Sequence, residues 1–497
     1  MNASPDPSKP RRVAVIGAGL SGLATSFYLK RLGADVTVLE ASERVGGVIH
    51  TEHVDVAGVG RFVIDHGADM FATNPRGAIE LCRDLGVEAQ LQRPKSQGRG
   101  AMIAKGNQLI PIPAGFVLMR ATRTSPLLRT PLLSIGGKLR WFAERFVTPR
   151  DSDVEDESVG DFVRRRMGRQ LLDRLVAPLV AGIYTADVDR LSMAATMKPI
   201  WEMETKYGSL SEATRSRRKA GDDATEQTSS GARYEQFRAF PGGMTDWMNL
   251  LVHAIGEDHV HLFTAITQMR SVDNGIHVHD DHDPFDDVVL ALPAHGAARL
   301  LRHYDSDVHR SIATAAADEL DSIRMASTAI VVLGVRRSAI SRMPSTFGFV
   351  VPPREGRRIL AGSFASEKFE GRAPDDHVVI RAFVGGMLHP EVLDQTDSRL
   401  VDLVRRELHD LIGLDGGRPL DEIAPLIRVI RWNQAMPQYE VGHLRRATRV
   451  HEAIGAMPRI HLAGNGLDGV GIAPVIGRAK QLAAAIVTES DDSPSRP

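Results

Sequence analysis

The sequence of 497 residues contains one cysteine, Cys82, and has no excess of charge of either sign. A single cysteine excludes an internal disulfide and a cysteine-based zinc site, and it suits a reducing compartment. Lys and Arg number 61 against 62 Asp and Glu, and this balance gives no reason to expect nucleic acid as a partner. We therefore predict neither a metal site nor a nucleic-acid partner.

Long apolar segments are also lacking. No uncharged run of about 18 apolar residues occurs, so a membrane-spanning helix is not expected. Residues 1–10 are polar and proline-rich without an apolar core, which predicts a flexible tail rather than a signal peptide. The expected location is the cytoplasm, with peripheral attachment to the inner face of the cell membrane as an alternative.

The N-terminal segment carries a dinucleotide-binding pattern. Residues 13–39 predict a buried strand, a glycine turn, a helix and a second strand, which ends at Glu40. The glycines allow a tight turn, close approach of a pyrophosphate and close packing of helix on strand, and the helix N-terminus offers N–H groups to phosphates. Glu40 is placed to accept hydrogen bonds from ribose hydroxyls. The predicted contacts are Gly17, Gly19, Leu20, Ser21, Gly22 and Glu40.

Two further glycine-rich segments point to FAD rather than NAD. The first directly follows Glu40, and its arginine is available for a phosphate or an acidic neighbour. The second follows a buried strand near the C-terminus and leads into a helix, whose N-terminus can stabilise negative charge on a reduced flavin. Trp432 either packs against the flavin or lies in the core, and no cysteine is present there, so non-covalent FAD is expected. The predicted contacts are Arg44, Gly46, Gly47, Val48, Trp432, Gly464, Val470, Gly471 and Ile472.

Composition and periodicity divide the chain into eight segments. We predict an α/β fold with a discontinuous Rossmann-like FAD-binding domain, a mixed-sheet substrate domain and a helical, membrane-facing domain. Residues 127–146 have helical periodicity and several cations, and either pack on the domain or rest on anionic lipid. The segments are a flexible tail (1–10), FAD-binding parts (11–94, 234–298 and 425–488), the helical domain (95–210), a flexible polar insert (211–233), the substrate domain (299–424) and a disordered tail (489–497).

Five other stretches complete a family pattern: residues 99–113, 175–192, 201–210, 240–243 and 436–443. Together with the FAD segments, they make the chain similar to the oxygen-dependent protoporphyrinogen oxidases of haem synthesis, within the flavin amine oxidase superfamily. The resemblance covers nearly the whole length. Its most specific parts are Gly182-Ile183-Tyr184 and Pro437-Gln438-Tyr439.

The resemblance implies a function and a substrate site. The expected reaction is the FAD-dependent six-electron oxidation of protoporphyrinogen IX to protoporphyrin IX by O2, with H2O2 as product and no side chain assigned as acid or base. Arg99 is expected to pair with a substrate propionate, and the backbone of Gly182 to lie beside the macrocycle. The other implied positions are Phe347, Val350 and Phe383 around the ring system, and Gly67, Ala68, Asp69, Met70 and Ile266 on FAD.

Alternatives to this reading remain open. Coproporphyrinogen III is the nearest one, and its four propionates would favour a more cationic pocket. An amine oxidase is a second, although Lys368 is the only lysine between Lys219 and Lys480. A non-catalytic flavin-binding or haem-handling scaffold is a third. Relatives are often homodimers, and the loop at Ala68 and Asp69 departs from the usual family pattern, which leaves the pocket shape open.

Overall fold

A computed structural model describes residues 10–117, 119–151, 153–220, 236–278 and 283–488. The predicted tails at 1–9 and 489–497, and residues 221–235 around the predicted insert, lie outside the described residues. The strands are β1 Arg12–Ile16, β2 Asp35–Leu39, β3 Thr51–Val56, β4 Gly60–Asp65, β5 Phe71–Ala72, β6 Met102–Lys105, β7 Gln108–Pro111, β8 Phe116–Val117, β9 Arg120–Ala121, β10 Phe237–Arg238, β11 Val260–His261, β12 Met269–Val272, β13 Gly275–His277, β14 Asp287–Leu290, β15 Tyr304–Asp305, β16 Met325–Arg336, β17 Gly348–Val350, β18 Ile359–Phe364, β19 His377–Gly385, β20 Leu426–Pro437 and β21 Ile460–Leu462.

Helices surround these strands in the described part of the chain. They are α1 Leu20–Arg31, α2 Gly77–Asp84, α3 Thr124–Arg129, α4 Ile135–Phe142, α5 Val159–Met167, α6 Arg169–Leu171, α7 Ala177–Tyr184, α8 Met193–Thr196, α9 Lys198–Tyr207, α10 Leu210–Ala220, α11 Thr245–Ile255, α12 Ala294–Arg302, α13 Arg310–Asp321, α14 Ala365–Lys368, α15 Asp397–Ile412, α16 Leu420–Ile423, α17 His443–Gly455 and α18 Ile472–Thr488.

A five-stranded parallel sheet forms the nucleotide-binding part, in the order β11-β2-β1-β14-β21. Its central strand β1 is apolar and buried from Val13 to Ile16, as expected of a strand covered on both faces. Helices α1, α11 and α18 pack on one face, and α12, α13 and α17 pack on the other. Because parallel strands align their carboxyl ends, the loops after β1, β2, β14 and β21 meet at one edge.

A second sheet of seven strands is mixed, in the order β20-β16-β19-β18-β17-β6-β7. Its strands pair antiparallel except β17 and β6, which run parallel. One face is covered by α15, and part of the other packs against β3 and β4 of the N-terminal region. The α/β class and the mixed sheet agree with the prediction.

The domain boundaries differ from those predicted. Strands β6 and β7, from the segment assigned to the helical domain (95–210), and β20, from the segment assigned to FAD binding (425–488), all belong to the mixed sheet. Helices α12 and α13 extend through the start of the predicted substrate segment (299–424) but pack on the parallel sheet. The sequence pattern shows that a strand exists, whereas its sheet is decided by long-range pairing.

Two local predictions also need correction. Residues 127–146 do not form one helix, because α3 ends at Arg129 and α4 begins after Ser134, whose side chain accepts a hydrogen bond from Gly137 N. The insert predicted at 211–233 begins as helix α10. Its first turn is fixed by the buried carboxylate of Glu144, which accepts hydrogen bonds from the backbone N–H groups of Leu210 and Ser211.

Candidate functional site

The glycine turn after β1 leaves space for a ligand on one side only. A Cβ atom on Gly17 would lie 2.5 Å from Ala291 O, and one on Gly22 would lie 1.9 Å from Gly17 O. Gly17 also has a φ of +105°, which strongly favours glycine. A Cβ on Gly19, by contrast, would meet no described atom within 4 Å. Two of the glycines are therefore required by the fold, and Gly19 faces open space.

The N-terminus of α1 offers donors at this open side. Gly19 is the N-cap residue, and no side chain caps the helix. Ser21 in the first turn is buried, and its hydroxyl finds no hydrogen-bond partner among the described residues. Free N–H groups, a positive helix end and an unsatisfied hydroxyl are what a pyrophosphate requires. These residues, with Leu20, therefore fit the diphosphate of FAD.

Glu40 links the glycine turn to the loop after β2. Its Oε2 accepts a hydrogen bond from Ala18 N at 2.7 Å, and its Oε1 accepts from Ser42 N at 2.9 Å. Oε1 also accepts a hydrogen bond from Ser42 Oγ at 2.7 Å, so Oε2 is the oxygen that keeps a lone pair for a ribose hydroxyl. The backbone N–H of Thr264 donates to Glu40 O at 2.8 Å, which brings the half-buried Ile266 to the same edge of the sheet.

The second glycine segment lies directly against the first turn. Gly46 N donates to Ala18 O at 2.8 Å, and a Cβ on Gly47 would lie 3.5 Å from Gly19 Cα. Arg44, predicted to be available for a phosphate or an acidic neighbour, instead donates to backbone carbonyls of its own turn, including Gly47 O at 2.9 Å. The described structure therefore gives Arg44 the role of holding this turn in shape.

The loop 67–70 closes the site from the side of the mixed sheet. A Cβ on Gly67 would lie 2.4 Å from Val48 O and 3.1 Å from Trp432 Cζ2. Gly67, Val48 and the half-buried Trp432 thus come together from three distant parts of the chain. Val48 is about half exposed at this place. Ala68 and Met70 are half-buried in the same loop.

The C-terminal glycine turn is held by a residue that the sequence analysis did not assign. The hydroxyl of Tyr439 donates to Asn465 O at 2.5 Å and accepts from Gly469 N at 2.8 Å. His443 stacks on the Tyr439 ring at 3.8 Å, and its Nε2 lies 2.9 Å from Leu467 O. These contacts shape the turn that carries Gly464, Val470 and Gly471 and ends at Ile472, where α18 begins.

The neighbouring Gln438 reaches the substrate side. Its Nε2 donates to Tyr184 O at 3.1 Å, at the end of α7. Residues 438 and 439 therefore tie the predicted substrate helix to the predicted flavin turn. The signal that could have found them is the Pro437-Gln438-Tyr439 motif. It is one of the most specific parts of the family resemblance, but no role was predicted for its residues.

The predicted substrate residues are partly assembled. Gly182 lies exposed on α7, and a Cβ there would come within 3.2 Å of Val350 Cγ1 on β17. Phe383 is half-buried and packs in the same small cluster as Trp432. Phe347 is only 1% exposed, which places it in the core beneath this surface rather than on it.

Arg99 lies beside the same strand, since Gly100 O accepts hydrogen bonds from Phe347 N and Thr346 Oγ1. Its guanidinium donates to backbone carbonyls, among them Lys95 O at 3.0 Å. These bonds hold the guanidinium of a half-buried arginine against the segment before it. Arg99 stays a prediction as the propionate partner.

Asp69 differs from the rest of its loop because it is ion-paired. Lys368 Nζ lies 2.9 Å and an Arg381 nitrogen 3.1 Å from Asp69 Oδ2. Burial alone would raise the pKa of this carboxyl, but attraction to Lys368 and Arg381 holds the pKa well below its ordinary value. Asp69 is therefore charged, and it faces the mixed sheet.

Comparison with known proteins gives a consistent assignment. The profile of the flavin containing amine oxidoreductases matches residues 20–487. The coproporphyrinogen III oxidase of Bacillus subtilis (strain 168) is 28% identical over 96% of this chain and 98% of its own length. That of Staphylococcus aureus (strain NCTC 8325 / PS 47) is 30% identical over 96% and 99%. The protoporphyrinogen oxidase 2 of Arabidopsis thaliana is 25% identical over 96% and 94%.

Solved structures agree with these relatives. A protein of Exiguobacterium sp. 255-15, provisionally titled a protoporphyrinogen oxidase, superposes with a TM-score of 0.78 and 28% identity over 97% of this chain and 99% of its own. Cyclohexylamine oxidase from Brevibacterium oxydans IH-35A shares the fold at a TM-score of 0.65 and 16% identity, with coverage of 97% and 100%. The chain belongs to the flavin containing amine oxidoreductases and, among them, to the FAD-dependent porphyrinogen oxidase family.

Proposed function

We propose that this protein oxidises a porphyrinogen to the corresponding porphyrin, with coproporphyrinogen III as its substrate. The observation that carries the proposal is the connection between the two half-sites. Gln438 holds the end of the helix that presents Gly182, and Tyr439 holds the flavin turn. These contacts support a position for Gly182, the glycine of α7, beside the FAD site, where a flat macrocycle needs a surface without a side chain.

FAD, when bound, accepts two electrons in each oxidation step. Three such steps remove six hydrogens from the porphyrinogen, and three molecules of O2 are reduced to three molecules of H2O2. The protein residues bind and orient the two partners. Gly182 and Val350, which lie against each other, form one wall of the gap for the ring. Phe383 and Trp432 contribute an apolar wall that excludes water, and Arg99 is the proposed partner of a propionate.

Two observations favour coproporphyrinogen III over the protoporphyrinogen IX of the sequence-based prediction. The bacterial relatives at 28–30% identity are coproporphyrinogen III oxidases, whereas the plant protoporphyrinogen oxidases are 25–27% identical. In addition, a cavity of about 220 Å³ adjoins Ile103, which pairs with Val350 in the sheet. Its lining includes three cations, Lys105, Arg174 and Arg354, and one carboxylate, Glu355. This cationic rim suits additional propionates.

An amine oxidase is the less favoured alternative. Lys368 is the only lysine between Lys219 and Lys480, and it is 7% exposed and bound to Asp69. An amine substrate would also gain nothing from the cationic rim. The solved amine oxidases at 16% identity share the fold, which by itself does not transfer a substrate.

The test is a comparison of both porphyrinogens with the purified, FAD-loaded protein in air, monitored by porphyrin fluorescence and H2O2. We expect coproporphyrinogen III to give the higher kcat/KM, with three H2O2 per porphyrin. A higher value for protoporphyrinogen IX would overturn the substrate choice. Absence of porphyrin from either would overturn the oxidase proposal, and H2O2 formed from an amine would favour the alternative.

We also propose that one surface rests on anionic lipid. Ile135, Leu139 and Phe146 are 66–79% exposed on α4 and the turn after it, and Arg145 lies over the Phe146 ring at 4.7 Å. Among the described residues, no helix has the length and apolarity needed to cross a bilayer. An exposed apolar face beside cations is typical of interfacial binding.

Cosedimentation with vesicles tests this surface. We expect binding to vesicles that contain anionic lipid, weaker binding to neutral ones, and loss of both after the joint change Leu139→Ser and Phe146→Ser. Equal recovery of the wild type and this variant with the vesicles would contradict the proposal. The homodimer expected from the family resemblance stays a prediction, which light scattering of the same samples checks.

A further inference from the structure

A buried ion cluster lies where the loop 67–70 meets the mixed sheet. Asp69, Lys368 and Arg381 are each less than one-tenth exposed. Asp69 binds both cations, and Arg381 also donates to Gly67 O. Lys368 is on α14 and Arg381 is on β19, so a helix and a strand of the mixed sheet both hold the loop.

A second buried pair lies next to the first. A nitrogen of Arg372 lies 3.3 Å from Asp65 Oδ2, and both side chains are nearly inaccessible. Asp65 Oδ1 also accepts hydrogen bonds from Thr51 Oγ1 and Met244 N, at 2.6 and 2.9 Å. Together, the cluster of three and this pair contain three cations and two carboxylates, which leaves one positive charge without a buried counterpart.

Among the described residues, Glu52 on β3 and Glu367 beside Lys368 do not supply the missing negative charge, because each is paired with another arginine. Glu52 is bound by Arg428 at 2.9 Å and lies 3.2 Å from His66 Nε2. Burial lowers the pKa of His66, and Arg44 and Arg381 lower it further, although Glu52 opposes them. His66 is therefore neutral near pH 7. In addition, Arg381 Nε is buried and meets no acceptor among the described residues.

An uncompensated buried charge is costly, so its retention calls for an explanation. The loop that the cluster grips is the one expected to lie on the flavin, and Gly67 touches the Val48 and Trp432 positions of the same site. Two-electron reduction adds negative charge to a flavin, and a nearby buried cation stabilises that charge because the local dielectric is low.

We infer that Lys368 and Arg381 are positioning residues that hold the flavin loop through Asp69 and Gly67 and make the bound flavin easier to reduce. This inference rests on the FAD site described above and not on the identity of the substrate. A purely structural ion pair would fix the loop without this effect. If the cations favour flavin reduction, removal of a cation and removal of the Asp69 carboxylate shift the flavin potential in opposite directions. An ion pair that only fixes the loop predicts no such opposite shifts.

The experiment measures the midpoint potential of the bound flavin by dye-equilibrated photoreduction, without any porphyrinogen. Lys368→Met removes a positive charge, and we expect reduction to become about tenfold less favourable, or about 30 mV for a two-electron couple. Asp69→Asn removes a negative charge and should shift the potential in the opposite direction. The double variant should return close to the wild type, and Lys368→Arg should resemble the wild type.

Opposite shifts that cancel in the double variant support the inference. Shifts in the same direction, or an unchanged potential with FAD still bound, overturn it and leave a structural cluster. Lys368→Gln also removes the positive charge but can still donate to Asp69, so we expect a shift of the same sign as in Lys368→Met. It replaces the methionine variant in the test if that variant loses FAD. A protein with these opposite shifts that oxidises no porphyrinogen would contradict the proposed function alone.

Discussion

The FAD edge and the substrate side of this molecule are built by different means. At the FAD edge, backbone conformation dominates: Gly17 and Gly22 leave no room for a side chain, and Gly19 leaves the ligand's space open. On the substrate side, contacts between distant segments dominate, as where Gln438 donates to Tyr184 O and Gly182 lies against Val350. The glycine turn of the FAD edge is therefore local in sequence, whereas the substrate side exists only after the mixed sheet has formed.

We expect the largest effect at the FAD edge, where one substitution weakens FAD binding without changing the stability of the fold. Gly19→Ala adds a methyl group that meets no protein atom, so thermal unfolding of the apoprotein should be unchanged. The same methyl group obstructs the pyrophosphate and its hydrogen bonds, and we expect FAD binding to weaken by about 10- to 100-fold. Flavin fluorescence during titration of the apoprotein measures the affinity.

Gly455→Ala on α17 is the matched control, because its Cβ also meets no atom within 4 Å and lies away from the turn. It should bind FAD like the wild type. If Gly19→Ala and Gly455→Ala bind FAD equally well, the pyrophosphate does not approach the backbone at this turn.

The next effect tests the residue that joins the two half-sites. Tyr439→Phe leaves Asn465 O and Gly469 N without their shared partner, at a cost of about 1–3 kcal/mol for buried polar groups. We expect FAD affinity to fall by about tenfold and the melting temperature of the holoenzyme to drop. Tyr304→Phe, in the core beside the parallel sheet, serves as the control. Unaltered FAD affinity in Tyr439→Phe would show that the turn holds its shape without the hydroxyl.

A smaller effect is expected on the substrate side. In Gly182→Ala, the added Cβ would lie 3.2 Å from Val350 Cγ1, so Val350 must shift and this wall of the gap for the macrocycle is disturbed. We expect kcat/KM to fall by about tenfold through a cost of about 1–3 kcal/mol, while the flavin spectrum stays unchanged. Adding Val350→Ala should restore part of the loss. A double variant no better than Gly182→Ala would exclude this pair as the boundary of the gap.

The smallest effect concerns pH at the FAD edge. Burial lowers the pKa of His443 below its ordinary value, so the unfolded chain binds the proton more readily than the folded one. Stability is therefore retained above about pH 6.5 and falls as the pH drops toward the lowered pKa, by at most about 1.4 kcal/mol per unit for one group. Melting temperatures of wild type and His443→Gln across this range measure the difference. Equal acid sensitivity of the two proteins would show that His443 does not contribute to the loss of stability at low pH.

The same contrast explains how far the sequence could be interpreted. The β1–α1–β2 unit follows from apolar runs, glycine spacing and Glu40, since all of these lie within 29 residues. The membership of β20 in the mixed sheet does not follow, because its partner β16 is about a hundred residues away. Asp69 was predicted to lie on the flavin, but its pairing with Lys368 needed the fold, as did the contacts of Arg44 with its own turn. Polar composition hid α10, whose first turn depends on the distant Glu144.

The central claim is that a flavin held at the parallel sheet is reduced by a porphyrinogen held beside α7. Anaerobic mixing of the FAD-loaded protein with coproporphyrinogen III tests it most directly, through flavin absorbance and porphyrin fluorescence in one sample. We predict that one porphyrinogen bleaches three flavins as fluorescence appears, and that admission of air restores the flavin with formation of H2O2. A flavin that stays oxidised with coproporphyrinogen III and with protoporphyrinogen IX would contradict the account.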